Sequence, residues 1–112
     1  MSLHLKYQME KLKRLILQLG SLVEEAVSGA IRAVQERAAA LARTRVDGGE
    51  RVDVLEIEVE EECLHTLALH QPVAMDLRYV VAVLKINNDL ERIADQAVNI
   101  AQQALALTDE SP

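Results

Sequence analysis

Residues 79–107 read YVVAVLKINNDLERIADQAVNIAQQALAL. Within them Tyr79, Val83, Ile86, Leu90, Ile93, Ala97, Ile100, Ala104 and Leu107 recur at steps of three and four residues. That is the repeat of a helix with one apolar stripe, held here for about four heptads. With its flanks the stretch predicts a helix over 73–107, ~50 Å long. An apolar stripe of that length must be covered by other long helices, so this segment argues for a bundle.

Upstream, His70-Gln71-Pro72 stops the preceding element. Proline cannot donate the helical hydrogen bond and turns the residue before it away from helix. A second helix is expected over 50–69, with Val52, Leu55, Val59, Cys63 and Thr66 inward and Glu56, Glu58, Glu60, Glu61 and Glu62 crowding the rest. The first helix is expected over 5–34. Its stripe is Leu5, Leu12, Leu19, Ala26 and Ala33, widened by Leu15, Ile16, Leu22, Val23 and Ala30. Gly20 and Gly29 interrupt neither stripe nor period, and the heptad context reads them as points of close helix approach. Residues 35–46 stay Ala-rich and helical with a weaker stripe, which predicts a kink or a short separate helix. Asp47-Gly48-Gly49 is the clearest turn, and the polar tail 108–112 is expected to be disordered. The fold class is therefore all-α: one domain, a three-helix, up-down-up antiparallel bundle with long, coiled-coil-like helices.

Composition supports this. Of 112 residues, half are hydrophobic, yet Phe and Trp are absent and Tyr7 and Tyr79 are the only aromatics. Slim aliphatic side chains suit helices packed along their length. Most catalytic pockets use aromatics more freely. The net charge of −6 disfavours nucleic acid and anionic membranes. It is also uneven: residues 1–51 carry nine basic and six acidic side chains, and residues 52–112 three and twelve. The lone Cys63 allows no internal disulfide and fits a reducing cytoplasmic setting, as a small core hydrophobe. No run reaches the ~18 apolar residues of a membrane span, and the N-terminus lacks a signal peptide's apolar core.

Function-bearing candidates are few. Asn88, Glu91, Asp95, Asn99 and Gln102 share one face of the third helix, placed roughly opposite its apolar stripe. Glu91 and Asp95 are four apart, so their charges repel, and a cation with oxygen ligands would reverse that repulsion. The bland alternative is a solvated face. In an up-down-up bundle Glu24 and Glu25 of the first helix, and Asp53 and Glu56 of the second, come to the level of Glu91. Glu62-Cys63-Leu64-His65 is a single Glu-x-x-His, where di-iron bundles use two. Asp76 suits the positive start of the last helix, and Arg78 can reach the acidic second helix or pair back to Asp76. No spacing supports a Ser-His-Asp or Cys-His arrangement, and no Gly-rich phosphate loop is present.

Several runs together resemble the PhoU family of phosphate-signalling regulators: Gln71-Pro72, Asp76-Leu77-Arg78, Asn88-Asp89-Leu90-Glu91-Arg92-Ile93-Ala94-Asp95 and Ala97-Val98-Asn99-Ile100. Gly20 with Val23-Glu24 adds to them. The resemblance covers roughly residues 8–105. It implies metal-binding three-helix repeats, with Glu91 and Asp95 as metal ligands and Glu24 joining from the first helix, for iron or zinc as divalent or trivalent ions. It implies a cytoplasmic regulator, not an enzyme, that dampens phosphate uptake and the phosphate-starvation response. The implied partners are a phosphate ABC transporter and its sensor histidine kinase. Typical members carry two repeats and this chain shows one, which implies a homodimer that rebuilds the pair, or a part of something longer. Gly48-Gly49 stands where a Gly-Asp-like pair is expected, and Ala94 where a Gly is usual. The rival readings are a metal-free helical adaptor or structural dimer, and a di-iron ferritin-like bundle using Glu62 and His65.

Overall fold

The computed structural model describes residues 2–36 and 49–109. Three helices account for nearly all of them: α1 (Leu3–Glu36), α2 (Gly49–His70) and α3 (Ala74–Asp109). Gln35 and Glu36 belong to α1, and the rest of the expected kink or short helix over 35–46, the Asp47-Gly48 half of the turn and the end of the tail lie outside the described residues. Gly49 itself opens α2, with no positive φ. Thr108 and Asp109, expected in the tail, belong to α3.

Local chemistry sets the helix ends. Ser2 caps α1: its Oγ accepts from the Leu5 amide at 3.1 Å and its carbonyl from the Lys6 amide at 3.1 Å. A serine oxygen there satisfies an amide that the helix leaves unpaired, so α1 starts two residues ahead of its apolar stripe. The α2–α3 connection is tight. Gln71 (φ 44°) and Ala74 (φ 50°) both take the left-handed conformation, which costs a non-glycine residue roughly 1 kcal/mol or more. Pro72 between them is buried, and the Val73 carbonyl accepts from the Asp76 amide at 3.2 Å.

The helices run up, down and up. Lys11 of α1 meets Glu62 of α2, Asn87 of α3 meets Glu56 of α2, and Ala30 and Ala33 of α1 lie against Ala97, Ala101 and Ala104 of α3. The bundle is a rod of 63 × 17 × 17 Å. Its main core joins Leu12, Leu15, Leu19 and Val23 to Val52, Leu55, Val59 and Cys63, and to Val80, Val83 and Ala94. Each fully buried leucine or valine there contributes ~1.5–3 kcal/mol. Toward the far end the seam between α1 and α3 narrows to alanines.

That narrowing corrects two expectations. Tyr79, Ile86, Ile93, Ile100 and Leu107 were expected in the core and are exposed, while Val80, Asn87, Ala94 and Ala101 are buried in their place. Alanine pairs bring the backbones too close for an isoleucine to stand between them, so α3 is turned by about one residue and its isoleucines ride on the flank. Gly20 is the second correction: a Cβ built there meets nothing within 4 Å, so it serves no close approach within this chain. Gly29 is buried.

Candidate functional site

Turning α3 by one residue moves its acidic face as well. Glu91 and Asp95 do not lie opposite the core but on the flank that borders α2. Glu91 is half-buried and Asp95 exposed. Asp95, Asn99 and Gln102 of α3, Glu25 of α1, and Glu50 and Asp53 of α2 line one open groove of about 550 Å³. Its floor is apolar, with Leu22, Ala26, Ala94 and Val98. Of the two glutamates on α1, Glu25 rather than Glu24 lines it, and Glu24 is exposed.

One turn toward the middle of the bundle, Glu56 of α2 and Glu91 of α3 face each other. Glu56 has its carboxyl pushed above the usual carboxylate range, first by burial, then by the Glu91 charge and by the hydrogen bond between the two side chains, with Glu60 and Asp53 adding to it. Burial and the Glu91 charge thus both act against the charged form of Glu56. Beneath them Asn87 is fully buried. Its Nδ2 donates to the Glu56 carbonyl at 3.1 Å, while its Oδ1 has no partner. A buried acceptor left unpaired costs about 1–3 kcal/mol, so Asn87 fixes the height of α2 against α3 at an energetic loss. Its sequence mark was its place four residues before Glu91, in heptad register with Val80 and Ala94.

The donors here are all oxygens: carboxylates of Asp53, Glu56, Glu91 and Asp95, and the orphaned amide oxygen of Asn87. Their chemistry fits a hard cation better than one that prefers nitrogen or sulfur. They stand as pairs and not as a cage. Among the described residues no three His, Cys, Asp or Glu side chains converge closely enough to hold an ion.

The remaining candidates are occupied with structure. Glu62 takes a hydrogen bond from Gln8 Nε2 at 2.6 Å and an ion pair with Lys11 Nζ at 2.9 Å, which hold its carboxyl below the usual range. Both oxygens are thereby spoken for, and His65 is exposed, so the Glu-x-x-His of the di-iron reading presents no inward donor pair. Cys63 is fully buried, and burial pushes its thiol up to about 11. Thr66 Oγ1 is satisfied by the Glu62 carbonyl at 2.8 Å. Arg78 reaches neither α2 nor Asp76; its guanidinium lies 3.9 Å from Met75 Sδ. Among the described residues no helix is long and apolar enough to cross a membrane.

Comparison with known proteins points to one family. The PhoU homolog of Aquifex aeolicus, a phosphate-specific transport system accessory protein, is 37% identical over 105 residues, covering 94% of this chain and 48% of its own length. The Caulobacter vibrioides homolog of the same description is 42% identical over 97 residues, 87% of this chain and 42% of its own. Thermotoga maritima's PhoU homolog 1 is 34% identical over 107 residues, 96% and 46%. The chain thus spans just under half the length of the curated relatives it matches. Residues 16–104, which carry the Gly20 segment, the paired helices of the groove and the Glu91–Asp95 run, match the PhoU domain, and with three helices and that acidic pair in place the chain belongs to the PhoU domain family.

Proposed function

We propose that this chain is a cytoplasmic, non-enzymatic regulator of phosphate uptake and of the response to phosphate starvation, working as a homodimer through protein partners. Its named relatives are phosphate-transport accessory proteins. The partners that fit are the phosphate ABC transporter and the sensor histidine kinase that answers to it. The observation that carries the reading is the carboxylate flank between α2 and α3, where Asp53 and Asp95 line the groove and Glu56 and Glu91 face each other one turn beyond it.

In this proposal Glu91 and Asp95 bind metal, iron or zinc as divalent or trivalent ions, through oxygen donors. Glu56 and Asp53 stand nearer to them than Glu24, the weaker candidate on α1. A bound cation would supply positive charge that neutralises the repulsion between α2 and α3. What the chain does is hold those carboxylates at fixed height, through Asn87 and the α2–α3 core, and offer the groove's rim to a partner. The metal-free adaptor is the second reading, and the absence of three converging ligands among the described residues favours it.

One experiment separates the two. The protein is purified without a metal-affinity tag from iron- and zinc-replete cells, and bound metal is measured by mass spectrometry. The wild type should carry metal, and Glu91→Ala/Asp95→Ala should lose it. Gly49→Asp should retain more, because a Cβ at Gly49 meets only Val98 Cγ2 at 3.7 Å and the new carboxylate would enter the groove. A metal-free wild type rules out the metal reading and leaves the adaptor. A phosphate-starvation reporter that ignores deletion of the protein rules out the regulatory role.

A further inference from the structure

At the end of the rod where α1 begins and α2 stops, an open groove of about 650 Å³ lies between those two helices. From α1 it takes His4, Tyr7, Lys11 and Arg14, which follow one another on one face at steps of three and four. From α2 it takes Leu69 and His70. Among the described residues no carboxylate lines it. Two other polar grooves have the opposite sign. In the acidic groove Glu25, Glu50, Asp53 and Asp95 outnumber Arg51, and in the one beside it Glu50 and Glu58 do. In a chain of net charge −6, cations without lining acids mark this end as the place for an anion.

The acid in contact with this lining is already engaged. Glu62 Oε2 accepts from Gln8 Nε2 at 2.6 Å, and Glu62 Oε1 accepts from Lys11 Nζ at 2.9 Å. That pair pins the ammonium beside α2 and leaves two of its three N–H bonds for a ligand. It also offsets the Lys11 charge, so the uncompensated cation is Arg14. Arg14 is exposed and takes part in neither ion pair found among the described residues. His4 and His70 bring imidazole N–H donors from the two helices, and Tyr7 brings a hydroxyl. Ser2 Oγ, which also lines the groove, accepts from the Leu5 amide and keeps its own O–H to donate.

We propose that this groove binds a phosphate group. A carboxylate has two oxygens and one charge, and the Arg14 guanidinium alone would satisfy it. A phosphate offers three or more acceptor oxygens and up to two charges, which matches a guanidinium, an ammonium and N–H and O–H donors arriving from two helices. The groove is far larger than orthophosphate and falls in the ~300–1,000 Å³ range of small-molecule sites. Tyr7 and Leu69, 60% and 64% exposed, add apolar surface against which the organic part of a phosphate ester would lie. The same donors serve orthophosphate and a small phosphate ester. The site goes beyond the regulatory function proposed above and uses none of the carboxylates of the metal reading.

The test uses the full chain, stripped with chelator and held at constant pH in phosphate-free buffer of low ionic strength, so that no metal in the acidic groove can hold phosphate. The three histidines, His4, His65 and His70, report separately by proton NMR, assigned with His4→Gln, His65→Gln and His70→Gln. Orthophosphate, AMP and adenosine are titrated in turn. A phosphate should move the His4 and His70 signals and leave His65, which is exposed on α2 outside the groove. AMP binding more tightly than orthophosphate identifies an ester as the source, and AMP binding no more tightly identifies the free ion. Arg14→Gln, at an exposed position, should weaken binding at least ~10-fold through its lost charge-assisted hydrogen bonds. Lys13→Gln removes the same charge at the same end of the rod but outside the groove, and should change binding less than ~2-fold; circular dichroism checks that both variants keep their helicity. Histidine signals that ignore both phosphates, adenosine binding as tightly as AMP, a His65 shift as large as those of His4 and His70, or an equal loss in Lys13→Gln and Arg14→Gln overturns the site. The wild-type signals alone decide between the first three, and none of these outcomes bears on metal in the acidic groove.

Discussion

Gly20→Ala tests whether α1 needs the glycine that stands inside it. Gly20 lies well inside the 34-residue α1, where glycine is about 0.8–1.0 kcal/mol less favourable than alanine. The penalty is mostly the backbone freedom that glycine loses on folding. In this structure the added methyl meets no atom within 4 Å, so no steric term offsets the gain. The isolated monomer should therefore be stabilised by about 1 kcal/mol, roughly 4–5 °C in Tm for a domain near this size. The assay is urea and thermal unfolding by circular dichroism, at protein concentrations below the dimer's dissociation constant, so that association does not add to the measured stability. A lower midpoint at unchanged m would refute the reasoning about the fold, because it would mean α1 needs the glycine.

Three further outcomes follow from the side chains around the core. Glu62 is held below its ordinary range by Gln8 and Lys11, so its contribution is present above the unfolded carboxylate range and lost as pH falls through the lowered value; Glu62→Gln should cost on the order of 1 kcal/mol at pH 7 and nothing once the carboxylates are protonated, read from urea midpoints against pH. Glu56 shifts the other way, so its stabilisation is full below the unfolded range and fades as pH rises; in metal-free protein Glu56→Gln should raise the pH 7 midpoint and leave the pH 4 midpoint alone, and a lowered pH 7 midpoint would contradict the carboxyl pair. Cys63, with its thiol up at about 11 and no exposed surface, should stay inert to a thiol reagent at pH 8 until urea unfolds the chain; rapid native labelling would show that the α2 seam opens.

The sequence made α2 legible almost completely. Val52, Leu55, Val59, Cys63 and Thr66 are its buried residues, as their spacing required, because the rest of the helix is so acidic that only one face can turn inward. Much of α1 was legible for a similar reason: large aliphatic residues mark its stripe and charges mark its back. Its start was not, since a single serine side chain decides it. The carboxylate pair on α3 could be found from its spacing, but its surroundings could not. Glu56 becomes its neighbour through the register of α2 against α3, and Asn87 sets that register. A polar residue in a core position has no hydropathy mark, so Asn87 was missed, and only its heptad spacing from Val80 and Ala94 could have pointed to it. The groove's α1 wall shows the same limit: Glu24 and Glu25 are adjacent in the chain, and one residue of helix rotation decides which of them faces Asp53 and Asp95.

Alanine explains why α3 in particular was misread and why it matters. A hydropathy stripe weights isoleucine above alanine, so Ile86, Ile93 and Ile100 outvoted Ala94 and Ala101 for the core. Close packing reverses that vote, because the free energy of an α1–α3 seam comes from backbone approach as much as from side-chain bulk, and small residues such as alanine permit it. Once Ala30 and Ala33 meet Ala97, Ala101 and Ala104, the isoleucines have nowhere to go but outward. The same rotation brings Glu91 from the solvent side toward Glu56. The helix then has three working faces: an alanine-rich seam that fixes its angle, a carboxylate flank toward α2, and an isoleucine flank beside α1. A substitution that rotates α3 should disturb all three together. Ala97→Leu, which forces the seam apart, should lower the unfolding midpoint and weaken metal retention together, whereas Asp95→Ala should touch only the metal.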